Sequence, residues 1–279
     1  MSTTDDQAAE AKYDYKADED MRTDVWDENL HVGYWSGPED TSAVEVATDQ
    51  LTDFVIERTR IAAGQRLLDV GCGLGKPARR AAERTGCGVA GISDDPAQVK
   101  RANEAAEGAG AAEQVKFLHA DAMEPLPFGA AEFDAAWAIE SLVHMPDREK
   151  AFRNIAAVLK PGATLVATDF FENVPLDGAR KEAVDAFLGV ASLGPIPRLD
   201  DYPALLRSTG FELVEFLDIT ENTHRTYALL LQSLYDTEKE LRADHGDAVF
   251  DGFVKAFKGC AESLVPRYML FVARRSADS

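Results

Sequence analysis

Apolar and polar positions along this chain follow two rhythms. Between residues 42 and 62, Val44, Val46, Ala47, Leu51, Phe54, Val55 and Ile56 recur near helical spacing, which predicts an amphipathic helix. From residue 66 onward, short apolar runs alternate with alanine-rich or charged stretches. The runs predict strands at 66–70, 88–93, 115–119, 133–139 and 164–169. The stretches between them predict helices at 77–85, 96–108 and 147–159. A proline-bearing, helix-poor loop follows the third strand. Such alternation implies right-handed crossovers and a mostly parallel sheet covered on both faces.

The rhythm breaks after Asp169. Residues 171–200 carry Pro175, Gly178, Gly189, Gly194, Pro195 and Pro197 around one helical segment, 178–190. A helix at 201–209 and a strand at 211–219 resume the alternation. A long helical excursion then spans 222–263, marked by Tyr227, Leu230, Leu234, Leu241, Phe250, Phe253, Val254 and Phe257. A strand at 267–274 closes the chain. Ligands of open α/β sheets lie outside the carboxyl ends of the strands, so both excursions are expected to form one lid there. The expected division is a mobile covering segment at 1–41 and one domain at 42–279, with lid insertions at 171–200 and 222–263.

Composition narrows the class. With 279 residues and 46% hydrophobic content, the chain can bury the core of one large domain. No apolar run approaches the roughly 18 residues of a membrane span. The opening MSTTDDQAAEAK is polar and acidic, unlike a signal peptide, so a cytoplasmic setting is expected. Cys72, Cys87 and Cys260 show no metal or redox spacing and are expected to be reduced. The formal charge of −20 disfavours nucleic acid and anionic membranes as partners.

The candidate chemistry starts at RLLDVGCGLGKPARRAA, residues 66–82. A buried strand ends in Asp69 and Val70, Gly71, Gly73 and Gly75 turn the chain, and Pro77 opens a helix. Glycines let the backbone turn sharply and approach a ligand. The spacing is neither the G-x-G-x-x-G of dinucleotide folds nor a P-loop. Polar groups also end each later strand: Ser93, Asp94 and Asp95, with Gln98 one turn on; Asp121; Glu140 and His144; and Asp169. Together they suggest a cofactor with an amine, a ribose and an adenine edge. Asp94 and Asp95 also suit helix capping.

These motifs resemble class I S-adenosylmethionine-dependent methyltransferases, over Asn29 to Asp169 most clearly. LDVGCGLG is similar to the family's first motif, ADAM at 120–123 to its adenine turn, and LKPGATLVATDF to its closing turn and strand. NLHVGYW, GISDDPAQV, AIESLVHMPDR and KEAVDAF further resemble a bacterial natural-product subgroup typified by the rebeccamycin sugar O-methyltransferase. The resemblance implies an α/β, Rossmann-like fold with a seven-stranded sheet and helical lid, S-adenosyl-L-methionine as cofactor, and a small-molecule acceptor. It needs no metal, and a homodimer is open.

Residue by residue, the resemblance implies that Gly71 and Gly73 let the backbone pass beneath the methionine portion. Asp69 would organise that turn. Ser93 and Gln98 would meet the ribose, Asp121 and the Ala122 N–H the adenine, while Tyr34 and Trp35 close over the cofactor. Glu140 joins this binding set. His144 suits the role of general base, with Asp169 orienting it; His31 and His224 are alternative bases. Related sugar methyltransferases tend to carry two adjacent histidines here, whereas this chain has Val143 before His144. That makes the pocket more apolar and keeps a carbon acceptor, such as an indole or prenyl alkene, beside the favoured hydroxyl. Tyr13, Tyr15, Phe170, Phe171, Tyr202 and Tyr227 are candidate lining groups. A cofactor-retaining cyclase and a non-catalytic binding protein are the readings from other classes.

Overall fold

The computed structural model describes residues 28–191 and 193–277. Tyr13, Tyr15, Trp26 and most of the 1–41 segment lie outside them. Seven strands form one sheet: β1 (Arg66–Val70), β2 (Gly88–Ser93), β3 (Val115–His119), β4 (Phe133–Ile139), β5 (Leu159–Phe171), β6 (Phe211–Asp218) and β7 (Arg267–Arg275). Their order is β3-β2-β1-β4-β5-β7-β6. β7 runs antiparallel to β5 and β6, whereas β1 to β5 pair in parallel. The chain thus winds outward from β1 to β3, then returns to β4 on the other side of β1. That reversal opens a crevice at the carboxyl ends of β1 and β4.

Helices α1 (Val44–Thr59), α2 (Lys76–Thr85), α3 (Pro96–Gly108) and α4 (Arg148–Val158) sit where the periodicity places them, with ends moved by at most three residues. Arg80 on α2 pairs with Asp49 and Asp53 and so ties α2 to α1. Successive strand residues point to opposite faces, and both faces are buried. Leu67, Trp137 and Val166 join one core cluster, while Leu68, Ala136 and Leu165 join the other. β5 is longer than its apolar run, because pairing starts at Leu159 and passes through Pro161 and Gly162 before the predicted 164–169 core.

The first excursion holds α5 (Gly178–Ala191) and runs into a short 3₁₀ turn; α6 (Tyr202–Ser208) then leads to β6, and α7 (Thr220–Thr223) opens the second, which holds α8 (Arg225–Asp236), α9 (Glu238–His245) and α10 (Asp247–Ser263). α5 and α10 touch closely: a Cβ on Gly259 would lie 2.9 Å from Ala183 Cβ, so glycine permits the approach. Phe187 of α5 meets Tyr227 of α8 edge-on at 5.6 Å. No helix among the described residues is long and apolar enough to cross a membrane.

Candidate active site

The crevice holds a cavity of ≈ 500 Å³. Its floor is the turn after β1. Gly71 has φ +78, and a Cβ there would come within 2.3 Å of Ser141 Cβ. Ser141, just past β4, donates from Oγ to the Val70 carbonyl at 2.6 Å. This bond fixes the two strand ends against each other. Gly73 and Gly75 also take positive φ, and Gly75 caps α2.

Around that floor the structure gathers Asp69, Gly71, Gly73, Ser93, Gln98, Asp121, Ala122, Glu140 and His144. The Asp69 side chain is buried, and its Oδ2 has no protein partner. Burial pushes its carboxyl up to about 7, opposed by the indole of Trp137, its register neighbour on β4. Ser93 Oγ donates to Gln98 Oε1 at 3.0 Å and accepts from the Asp95 N–H at 3.1 Å. Asp95 caps α3 by accepting from the Ala97 N–H at 2.7 Å. Asp121 Oδ1 accepts from the Met123 N–H at 2.7 Å, which fixes the carboxylate at the lip.

Glu140 is held differently. It has φ 48 although it is not glycine, and its N–H donates to the Thr168 carbonyl at 3.0 Å. Its Oε1 accepts from the Val32 N–H at 2.7 Å and the Tyr268 hydroxyl at 2.8 Å. Burial pushes this carboxyl up to about 8, against those two donors, and neighbouring Asp169 adds to the rise.

A second cavity of ≈ 50 Å³ adjoins the first. Val143, Phe170, Phe187, Ala191 and Leu193 form its apolar wall, and Leu30, Glu140 and His144 line both cavities. The segment carrying Leu30 is stitched down along its length. Asn29 donates to Thr48 and Asp49, Gly33 N–H to Thr226 Oγ1, and Trp35 exchanges two bonds with Asn222.

Several expectations change. Tyr34 does not line the cavity: its ring stacks on Phe54 with centroids 4.5 Å apart. Trp35 is buried and donates to the Ser42 carbonyl. Asp169 lines neither cavity. It is fully buried, its Oδ1 accepts from the Phe170 N–H at 2.7 Å, and its Oδ2 has no hydrogen-bond partner. Burial pushes it up to about 7, opposed by the Phe170 N–H, Arg148 and the Val143 N–H. It therefore faces the 3₁₀ turn Leu142–His144 from beneath. His31 is engaged at both nitrogens, with the Val32 carbonyl and Thr52 Oγ1. His224 lies outside both cavities and binds the Ala261 carbonyl. Of the proposed aromatic lining within the described residues, only Phe170 reaches a cavity; Phe171, Tyr202 and Tyr227 are core. Phe187, Ala191 and Leu193 were missed, although KEAVDAF ends on Phe187.

Fold and crevice together define an α/β protein with a polar crevice at its strand ends beside a small apolar cavity. A model of the methyltransferase domain matches residues 68–167. The "O-methyltransferase rstn1" of Aspergillus nomiae is 44% identical over 73% of this chain and 89% of that protein. The "27-O-demethylrifamycin SV methyltransferase" of Amycolatopsis mediterranei is 36% identical over 94% and 95%. The crystal structure of the [4+2]-cyclase SpnF superimposes with a TM-score of 0.77, at 30% identity over 92% and 95% of the two chains. The chain belongs to the S-adenosylmethionine-dependent methyltransferase family. The sugar-methylating subgroup stays a likeness of motifs.

The cavity suits that cofactor on its own evidence. Asp69 lines the cavity with a buried oxygen that has no protein partner and suits a cationic donor, Gly71 and Gly73 line it without side chains, and fixed polar groups ring the rest.

Proposed function

We propose that the protein methylates a hydroxyl oxygen on a largely apolar small molecule of secondary metabolism. The observation that carries this reading is the junction of a polar, cofactor-sized cavity with an apolar one at Glu140 and His144. The relatives' names, which specify oxygen, support it.

When bound, S-adenosylmethionine supplies a methyl group already activated by its sulfonium. Asp69 holds the ammonium group, and the Gly71 and Gly73 backbone passes beneath the methionine portion. Ser93 and Gln98 meet the ribose; Asp121 accepts from the adenine amino group and the Ala122 N–H serves a ring nitrogen. The apolar wall aligns the acceptor and keeps water out, and such positioning supplies much of the rate. His144 takes the hydroxyl proton. Asp169 and Arg148 act through the 3₁₀ turn: Arg148 donates to the Leu142 carbonyl at 3.0 Å and so steadies His144. Residues 171–200 and 222–263 serve as the cover. Three free cysteines fit a cytoplasmic setting.

The likeness to a [4+2]-cyclase favours one second reading, a cyclase that keeps its cofactor unspent. Mass spectrometry with lipophilic hydroxylated acceptors separates the two. Methyl transfer yields S-adenosylhomocysteine in step with a product gaining one methyl group. An isomerised acceptor with the cofactor intact would replace the proposal with the cyclase.

A further inference from the structure

Among the described residues, neither lysine nor arginine lines either cavity, whereas Asp69, Asp94, Asp95, Asp121 and Glu140 line the larger one. The permanent positive charge of the filled site is therefore that of what binds there, and His31 and His144 are the basic side chains on its wall. Asp69, Asp94, Asp95 and Asp121 line the larger cavity and not the smaller one. Glu140 alone among the carboxylates lines both cavities, where a group passing between them must cross.

Its placement is imposed by the fold. Glu140 takes the left-handed conformation, with φ 48, which a non-glycine residue adopts only where its surroundings hold it. The Val32 N–H, the Tyr268 hydroxyl and the bond from its own N–H to Thr168 hold it there. Other titratable groups acting on it bring no permanent cation. Tyr268 reaches it from β7, Asp169 acts from β5, Tyr227 from α8, and His144 shares the cavity wall.

We propose that Glu140 is the counter-charge of the reacting centre, ionised opposite the cationic sulfonium and protonated opposite the neutral thioether left after transfer. This rests on the methyl-transfer reading above. Transfer forms an O–C bond and breaks an S–C bond; sulfur keeps the electron pair, and the acceptor proton passes to His144. The centre has then lost its cation, and Glu140 takes up a proton from His144 or solvent. The site thereby distinguishes spent from fresh cofactor by charge. An opposite charge within about 4–6 Å favours the ionised form by about 1–3 pKa units, enough to switch a carboxyl poised near neutrality.

The test is calorimetric titration of the whole protein with S-adenosylmethionine and, separately, S-adenosylhomocysteine, between about pH 6 and about pH 8. Both ligands carry the ammonium group that faces Asp69, so its titration cancels in the ratio of their affinities. The preference for S-adenosylmethionine should rise with pH, by up to about tenfold per unit for one linked proton. Glu140→Gln, which keeps the acceptor oxygen for Val32 and Tyr268, should flatten that ratio. Tyr268→Phe, which removes a donor that favours the ionised form, should move the rise to higher pH. Parallel pH profiles for the two ligands, or an undiminished rise in Glu140→Gln, would overturn the counter-charge while leaving the methyltransferase reading intact. Absence of binding by either ligand to folded protein would overturn both.

Discussion

The two cavities share Leu30, Glu140 and His144 but are made of different material. The larger is built from strand ends and the turns that follow them. Apart from Asn29, Leu30 and His31, its contributors lie in the last residues of a strand or a few residues beyond one, so local backbone geometry delivers them. The smaller is built from a 3₁₀ turn, the end of β5, helix α5 and the segment after it. Its walls come from residues 30 to 193 and meet only because the helical excursion folds back over the sheet. A site made by strand ends can keep one cofactor across many proteins. One made by side chains of an excursion can change its acceptor without disturbing the cofactor.

That contrast yields tests that separate the halves. The largest effect is expected at the junction. His144→Ala should cut turnover by roughly 10²–10⁴ while cofactor affinity changes little. Undiminished product formation by the variant would mean that the acceptor needs no base there, which favours carbon. On the cofactor side, Asp121→Ala removes an acceptor from the lip and should weaken cofactor binding by about ten- to a hundredfold. Calorimetry with unchanged affinity would refute the adenine assignment. On the acceptor side, Ala191→Leu fills the apolar cavity. Acceptor KM should rise by about tenfold or more with cofactor affinity unaltered. A matching loss of cofactor affinity would show that the halves are not independent. Smallest of all, Tyr34→Phe keeps the stack on Phe54, and cofactor affinity should stay within about twofold. A larger loss would return Tyr34 to the cofactor cover.

The predicted site residues that line the crevice share one property. Asp69, Gly71, Gly73, Ser93, Gln98, Asp121, Ala122 and Glu140 all lie in the last residues of a strand or within a few residues beyond its carboxyl end. Asp169 also ends a predicted strand, yet β5 runs on to Phe171 and Asp169 is fully buried, with the Val143 N–H and Arg148 acting on it. Sequence position predicts the end of the sheet at which a residue lies, not the face its side chain takes. Tyr34 lies away from the crevice for a related reason. An aromatic pair beside the crevice could lie over it or pack into α1, and Phe54 offers the ring that decides between them.

The chain's own order of apolar runs and glycines determined the sheet, its crossovers and the cofactor end of the crevice, because these depend on periodicity and backbone freedom within short stretches. Tertiary structure alone decided that Val143, Phe187, Ala191 and Leu193 form one wall. It also decided that Glu140 sits strained between Val32 and Tyr268. Contacts between residues dozens to more than a hundred positions apart depend on how packed elements meet, and no local pattern encodes that meeting.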